Sequence, residues 1–179
     1  MNEKEFNIRK EREEQLLKVL PDCLNYKTLL YIGARYFKDI TPQMTDLFKE
    51  KNYKIDVVEA FYKNCIELQP LGFNKIINAD ILKVILSQKY DVSMFWHGIE
   101  HIEREQLSEL IEKLKKVTKK YIIFACPYGK YEQGAEYENE FENHVTHWQP
   151  EDLIRMGLSV DTIGQRDVKY GNIISWIKI

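Results

Sequence analysis

The stretch Tyr90-Asp-Val-Ser-Met-Phe-Trp-His-Gly-Ile-Glu-His-Ile102 decides how the chain is read. Tyr90 to Trp96 is of strand length and mostly apolar, interrupted only by Asp91 and Ser93, and is closed by the breaker Gly98, so it reads as a strand. Glu103 to Val117 follows with apolar residues at helical spacing and a charged opposite face. A strand feeding directly into an amphipathic helix is half of a βαβ unit. The question is whether the rest of the chain repeats it.

It does. Upstream, Lys27-Thr-Leu-Leu-Tyr-Ile-Gly33, Lys54-Ile-Asp-Val-Val-Glu59 and Asn74-Lys-Ile-Ile-Asn78 read as three further strands. Helices are expected between and after them: from Thr41-Pro42, a capping residue before a first-turn proline, to about Asn52, then over Ala60 to Leu68 and Ile81 to Gln88. Downstream, Lys120-Tyr-Ile-Ile-Phe-Ala125 is a fifth strand. Trp148-Gln-Pro-Glu-Asp opens a last helix ending at Gly157, and Leu158 to Ile163 and Asn172 to Ile179 are the final strands. Glu3 to Leu20 is a charged amphipathic helix closed by Pro21, with Phe6, Leu16, Leu17 and Leu20 as its apolar positions. Alternating strands and helices predict a three-layer, Rossmann-like α/β sandwich with a mostly parallel seven-stranded sheet. Two consecutive strands at the end predict a C-terminal antiparallel hairpin.

Composition agrees with one globular domain over 1–179, with an N-terminal helix at 1–21 and a long loop at 127–148. The chain has 44% hydrophobic and 30% charged residues and a net charge of −2. That charge supplies no basic field for nucleic acid or anionic membrane. No apolar run reaches the ~18 residues of a membrane span. The charged start has no signal-peptide core, and Cys23, Cys65 and Cys126 are scattered and odd in number. Both features predict a reducing cytoplasm, with Cys65 and Cys126 as buried thiols.

In an open α/β sheet, ligands bind beyond the carboxyl ends of the strands, at the switch in strand order. The residues there are Gly33, Glu59, Asp80, Trp96 with His97, and Cys126 with Pro127. Each acid alone could equally be a helix cap. As an ordered set, Tyr31-Ile-Gly33, Val58-Glu59, Asn78-Ala-Asp80-Ile81 and the 90–102 stretch resemble the class I S-adenosylmethionine-dependent methyltransferases, over nearly the whole chain.

That resemblance implies a cofactor, S-adenosyl-L-methionine. Gly33 and Ala34 would lie under its methionine part, Glu59 on the ribose, Asp80 and Ile81 on the adenine, and Trp96 and His97 at the boundary with the acceptor. The loop with Tyr128, Gly129, Gln133, Asn139, Glu142, His144 and Trp148 resembles the substrate-side loop of small-molecule members. It implies O- or N-methylation of a small acceptor. His144 and His97 are the candidate bases, Glu142 another, and Tyr128 would orient the acceptor. One departure stands out: the family's acid before a Gly-x-Gly turn is replaced by Tyr31, followed by Gly33-Ala34-Arg35. A non-catalytic binding module for a nucleoside ligand or a protein is therefore the alternative.

The four histidines fall in two pairs, HGIEH (His97, His101) and HVTH (His144, His147). Pairs at helical spacing can share a metal, which would suit a metal-dependent hydrolase. Gly98 interrupts the first pair, so no metal is expected and His101 is expected to pack. The loop's Glu132, Glu136, Glu138, Glu140 and Glu142 read mostly as a solvated acidic surface. Its aromatic residues, among them Tyr131, Tyr137 and Phe141, read as a cover that excludes water.

Overall fold

The computed structural model describes residues 3–34, 44–136, 138–167 and 171–179, with side chains from residue 10 onward. The helix start expected at Thr41-Pro42, together with Arg35 and Tyr137, lies outside the described residues.

Helix α1 is Glu3–Val19, and strand β1 is Thr28–Ile32. Then follow α2 (Met44–Lys49), β2 (Lys54–Glu59), α3 (Tyr62–Leu68), β3 (Lys75–Asn78), β4 (Tyr90–Trp96), α4 (Arg104–Lys115), β5 (Thr118–Pro127), α5 (Pro150–Arg155), β6 (Ser159–Ile163) and β7 (Asn172–Lys178). The sheet order is β3-β2-β1-β4-β5-β7-β6. The first five strands in sequence are parallel. β7 enters antiparallel between β5 and β6, which is the expected hairpin with its second strand on the inside.

Strand geometry sorts the core, because successive residues face opposite sides. Leu30 and Ile32 of β1 pack with Phe95, Leu107, Leu110, Leu114, Phe124 and Trp148 on the face covered by α4 and α5. Leu29 and Tyr31 pack with Leu16, Leu20, Phe48, Val57, Leu68 and Met94 on the face covered by α1, α2 and α3. Both faces of the central strands are thus buried, which is why those strands read as continuous apolar runs. Helix α4 starts on a capping box in which the Gln106 side chain accepts the Glu103 backbone N–H at 3.0 Å.

One expectation fails. Ile81 to Gln88 is a turn followed by an irregular segment, not a helix. The Asp80 side chain accepts the Leu82 N–H at 2.9 Å, and the Lys83 and Val84 N–H groups bond the Asp80 carbonyl. From the turn onward, Leu82, Val84 and Leu86 pack against the core while Lys83, Ile85 and Ser87 are exposed. That period is two rather than 3.6, so the apolar residues do not share one helix face.

Candidate functional site

Strand β1 sits between β2 and β4, so the crossover from β3 back to β4 creates the switch point at its carboxyl end. Gly33 stands there with φ +66°, and its N–H bonds the Val58 carbonyl at 2.9 Å. A Cβ at this position would be strained by that dihedral and would come within 3.0 Å of the Phe95 ring. Ala34 is buried behind it. At the end of β2 Glu59 is 4% exposed, and its Oε1 accepts the Phe61 N–H at 2.8 Å, just before α3. This bond orients the carboxylate at the sheet edge and is also the helix-start role that the sequence left open. Asp80 pairs with Lys83 at 3.2 Å through its second oxygen, and Ile81 beside it is buried.

At the end of β4 the chain turns tightly. His97 has φ +50°, an uncommon left-handed conformation for a side-chain-bearing residue. Gly98 is required next, since a Cβ there would fall 1.8 Å from the Phe95 ring. The short 3₁₀ turn Ile99–His101 follows, so His97 and His101 do not share the face of a helix. His97 Nδ1 lies 3.4 Å from Oε1 of Glu100, whose side chain is only 3% exposed. Trp96 is half-buried beside His97, their ring centroids 6.3 Å apart.

The loop after β5 is built rather than loose. Val145 and Thr146 both donate their N–H groups to the Glu100 carbonyl, at 2.9 and 3.1 Å. Thr146 Oγ1 donates to the Ile102 carbonyl, and the fully buried Trp148 indole donates to the Ile99 carbonyl at 3.0 Å. Gln133 Nε2 bonds the Glu142 carbonyl, and the His144 N–H bonds the Gln133 carbonyl. Arg104 ties the end of the loop to α5, lying over Trp148 and pairing with Asp152 at 3.1 Å. Glu132, Glu138 and Glu140 are solvated as expected. Glu136 is half-buried, and Glu142 is buried at 9% exposure, with buried Asn139 donating to it at 3.4 Å. Tyr128 is half-buried against the core, its backbone held by Gly171 and Asp167.

These contacts unite one histidine from each sequence pair. The rings of His101 and His144 stand edge to face with centroids 4.9 Å apart. His144 Nδ1 faces the Tyr131 carbonyl at 2.6 Å and His101 Nδ1 the Asn143 carbonyl at 3.1 Å. A carbonyl can only accept, so each Nδ1 carries a proton, and in a neutral imidazole this leaves the lone pair on Nε2. Burial lowers the pKa of His144. Burial also lowers that of His97 strongly, with Arg12 and the neighbouring histidines adding to it. Both rings are therefore neutral at pH 7. Burial pushes the Glu100 carboxyl up to about 8.

Sequence reasoning missed three contributors. Arg12 of α1 reaches the site, where its charge acts on Glu100 and His97, and its buried Nε has no hydrogen-bond partner. Asn172 at the start of β7 is fully buried, donating to Gln15 Oε1 of α1 at 3.0 Å while its own Oδ1 lacks a partner. Glu100 has an unpartnered Oε2 as well. Nothing in the charged pattern of α1 distinguishes Arg12 from its neighbours. Only the docking of that helix over the ends of β4 and β7 does.

No protein-family model matches the chain, and no curated protein matches it significantly. Solved structures do. The N-methyltransferase NodS from Bradyrhizobium japonicum WM9 aligns with a TM-score of 0.63 and 12% identity, covering 96% of each chain. The DhpI–SAH complex aligns at 0.67 and 12% identity, over 93% of this chain and 83% of that one. A SAM-dependent methyltransferase from Archaeoglobus fulgidus aligns at 0.62 and 18% identity, over 96% and 94%. The chain has the fold of these proteins over nearly its full length.

Proposed function

We propose that the chain is an S-adenosylmethionine-dependent methyltransferase acting on a small-molecule acceptor. The observation that carries the reading is the edge itself. The left-handed Gly33 turn, the buried and oriented Glu59, the Asp80-Ile81 turn and the Trp96-His97 corner all occur at consecutive carboxyl ends of this sheet order. The residues present fit the cofactor: a glycine where backbone must come close, and a buried carboxylate suited to a diol. Gly33 and Ala34 would hold the methionine part, Glu59 the ribose, Asp80 and Ile81 the adenine, and Trp96 and His97 the boundary with the acceptor.

When bound, this cofactor supplies a sulfonium-activated methyl group for in-line transfer. The chain's own work is alignment and exclusion of water. The 127–148 loop, stitched to Ile99, Glu100 and Ile102, walls the acceptor side. His97 and His144, both neutral near pH 7, can each take a proton from the acceptor. Glu142 is a further buried base, and Tyr128 orients the acceptor. The mildly acidic charge suits a small acceptor better than nucleic acid. No helix among the described residues is long and apolar enough to cross a membrane. Three unpaired buried thiols support a cytoplasmic setting.

The test is calorimetric titration with S-adenosylmethionine and S-adenosylhomocysteine, comparing wild type with Glu59→Ala and Glu59→Gln. The glutamine keeps an acceptor for the Phe61 N–H and removes the charge. Saturable binding that both variants weaken by about tenfold or more, ~1.4 kcal/mol, supports the reading. Binding of neither compound at millimolar concentration would return the chain to the non-catalytic binding module.

A further inference from the structure

We propose that Glu100, His101 and His144 form a site for one divalent transition-metal ion on the acceptor side of the sheet. One ligand atom from each of the three lies within 4.8 Å of the others. Ligands ~2.1 Å from a shared ion stand about 3–4 Å apart, so the three atoms need draw in by only about 1 Å. His101 Nε2 already faces Glu100 Oε1 at 4.0 Å.

The surroundings favour the site in three ways. Each imidazole is fixed by an Nδ1–H bond to a backbone carbonyl, the arrangement that aims Nε2 at a metal. The Glu100 carboxylate is nearly fully buried, and its Oε2 has no hydrogen-bond partner, which is costly unless a cation or donor completes it. The two carrying segments are pinned together, because Val145 and Thr146 both bond the Glu100 carbonyl. The arrangement is therefore preorganised rather than assembled from mobile side chains. His97 Nδ1, 3.4 Å from Glu100 Oε1, sits behind the carboxylate.

Two imidazoles and one carboxylate select zinc, iron, cobalt or nickel over calcium and magnesium. Three protein ligands leave open positions for water or for a heteroatom of a bound molecule. Arg12 adds positive charge nearby, which favours the charged form of Glu100 against its burial. The site replaces the expectation of a metal-free fold and joins histidines the sequence had placed in separate pairs. Only its use in holding an acceptor rests on the methyltransferase reading. There, His144 is a ligand and the acceptor's proton goes to His97.

The test uses the full chain, stripped with a chelator and titrated with zinc and with cobalt(II), the latter followed by its visible d–d absorption. One equivalent should bind. Glu100→Gln and His144→Gln, which keep side-chain volume, should each weaken it by about 100-fold or more. His147→Gln should leave it unchanged. If Glu100→Gln fails to fold, His144→Gln at a half-buried position decides. No stoichiometric binding, or binding that survives the variants, overturns the proposal. A parallel S-adenosylhomocysteine titration separates the two readings: homocysteine-nucleoside binding without metal removes this site alone, and metal without it removes the methyltransferase reading alone.

Discussion

Replacing Gly98 by alanine tests whether one steric contact shapes the corner of the site. The added Cβ would stand 1.8 Å from Phe95 Cε2, 1.9 Å from Cδ2 and 2.5 Å from Cζ. Carbon atoms pack at ~3.5–4.0 Å, so the ring must retreat by roughly 2 Å. Phe95 is 7% exposed and stands on a central strand, in register with Ile32 and Phe124 on either side. A shift of that size is a change of rotamer in a packed core, with a cost near ~3 kcal/mol. Against a total stability of about 5–15 kcal/mol this is large but survivable. With a urea slope of ~2 kcal/mol/M, the midpoint should fall by about 1.5 M. In a Phe95→Ala background the ring is gone, and Gly98→Ala should then cost under ~1 kcal/mol, a coupling of about 2 kcal/mol. Urea unfolding of the four proteins, followed by circular dichroism, measures the cycle. A single variant within ~0.5 kcal/mol of wild type, or an equal cost in both backgrounds, would refute the reasoning.

Two further outcomes follow from the structure. Trp148→Phe keeps most of the buried ring but leaves the Ile99 carbonyl without its 3.0 Å donor, costing about 1–3 kcal/mol. The melting temperature should drop by roughly 2–12 °C, and an unchanged value would show that the loop is not anchored there. Asp91 is pushed up by partial burial, but hydrogen bonds from Thr28 and Lys27 and the nearby Lys119 outweigh this and hold it below the usual carboxylate range. A depressed folded pKa means its stabilisation is present above the unfolded value of ~3.9 and is lost as pH falls through the lower folded one. Stability measured in urea from pH 6 to 2 should therefore decline less steeply in Asp91→Asn than in wild type. Parallel declines would place the acid sensitivity elsewhere.

Much of this fold is legible from local patterns. The apolar run at Thr28–Ile32 became a central strand because residues buried on both faces leave no polar alternation. Strand ends bearing Gly33, Glu59 and Asp80 were found because the carboxyl edge of a parallel sheet is where such residues gather. The segment after Asp80 was misread. Its residues suit a helix locally, yet Leu82, Val84 and Leu86 pack on the core from a turn and an irregular segment. Arg12, Glu100 and Asn172 carried no signal, since each looks ordinary in its own neighbourhood. Their burial comes from α1 and β7 closing over the end of β4.

The sequence by itself determined most of the elements and which residues follow the strands at the sheet's carboxyl edge, because side-chain periodicity is a short-range property written into adjacent residues. Only the tertiary structure decided which of those edge residues meet. HGIEH and HVTH each look like a self-contained pair, but Gly98 and the left-handed His97 break the first. The loop's bonds to the Glu100 carbonyl then bring His144 to His101 instead. That convergence depends on a crossover, a wedged β7 and a pinned loop, and no local period encodes the distance between residues so far apart along the chain.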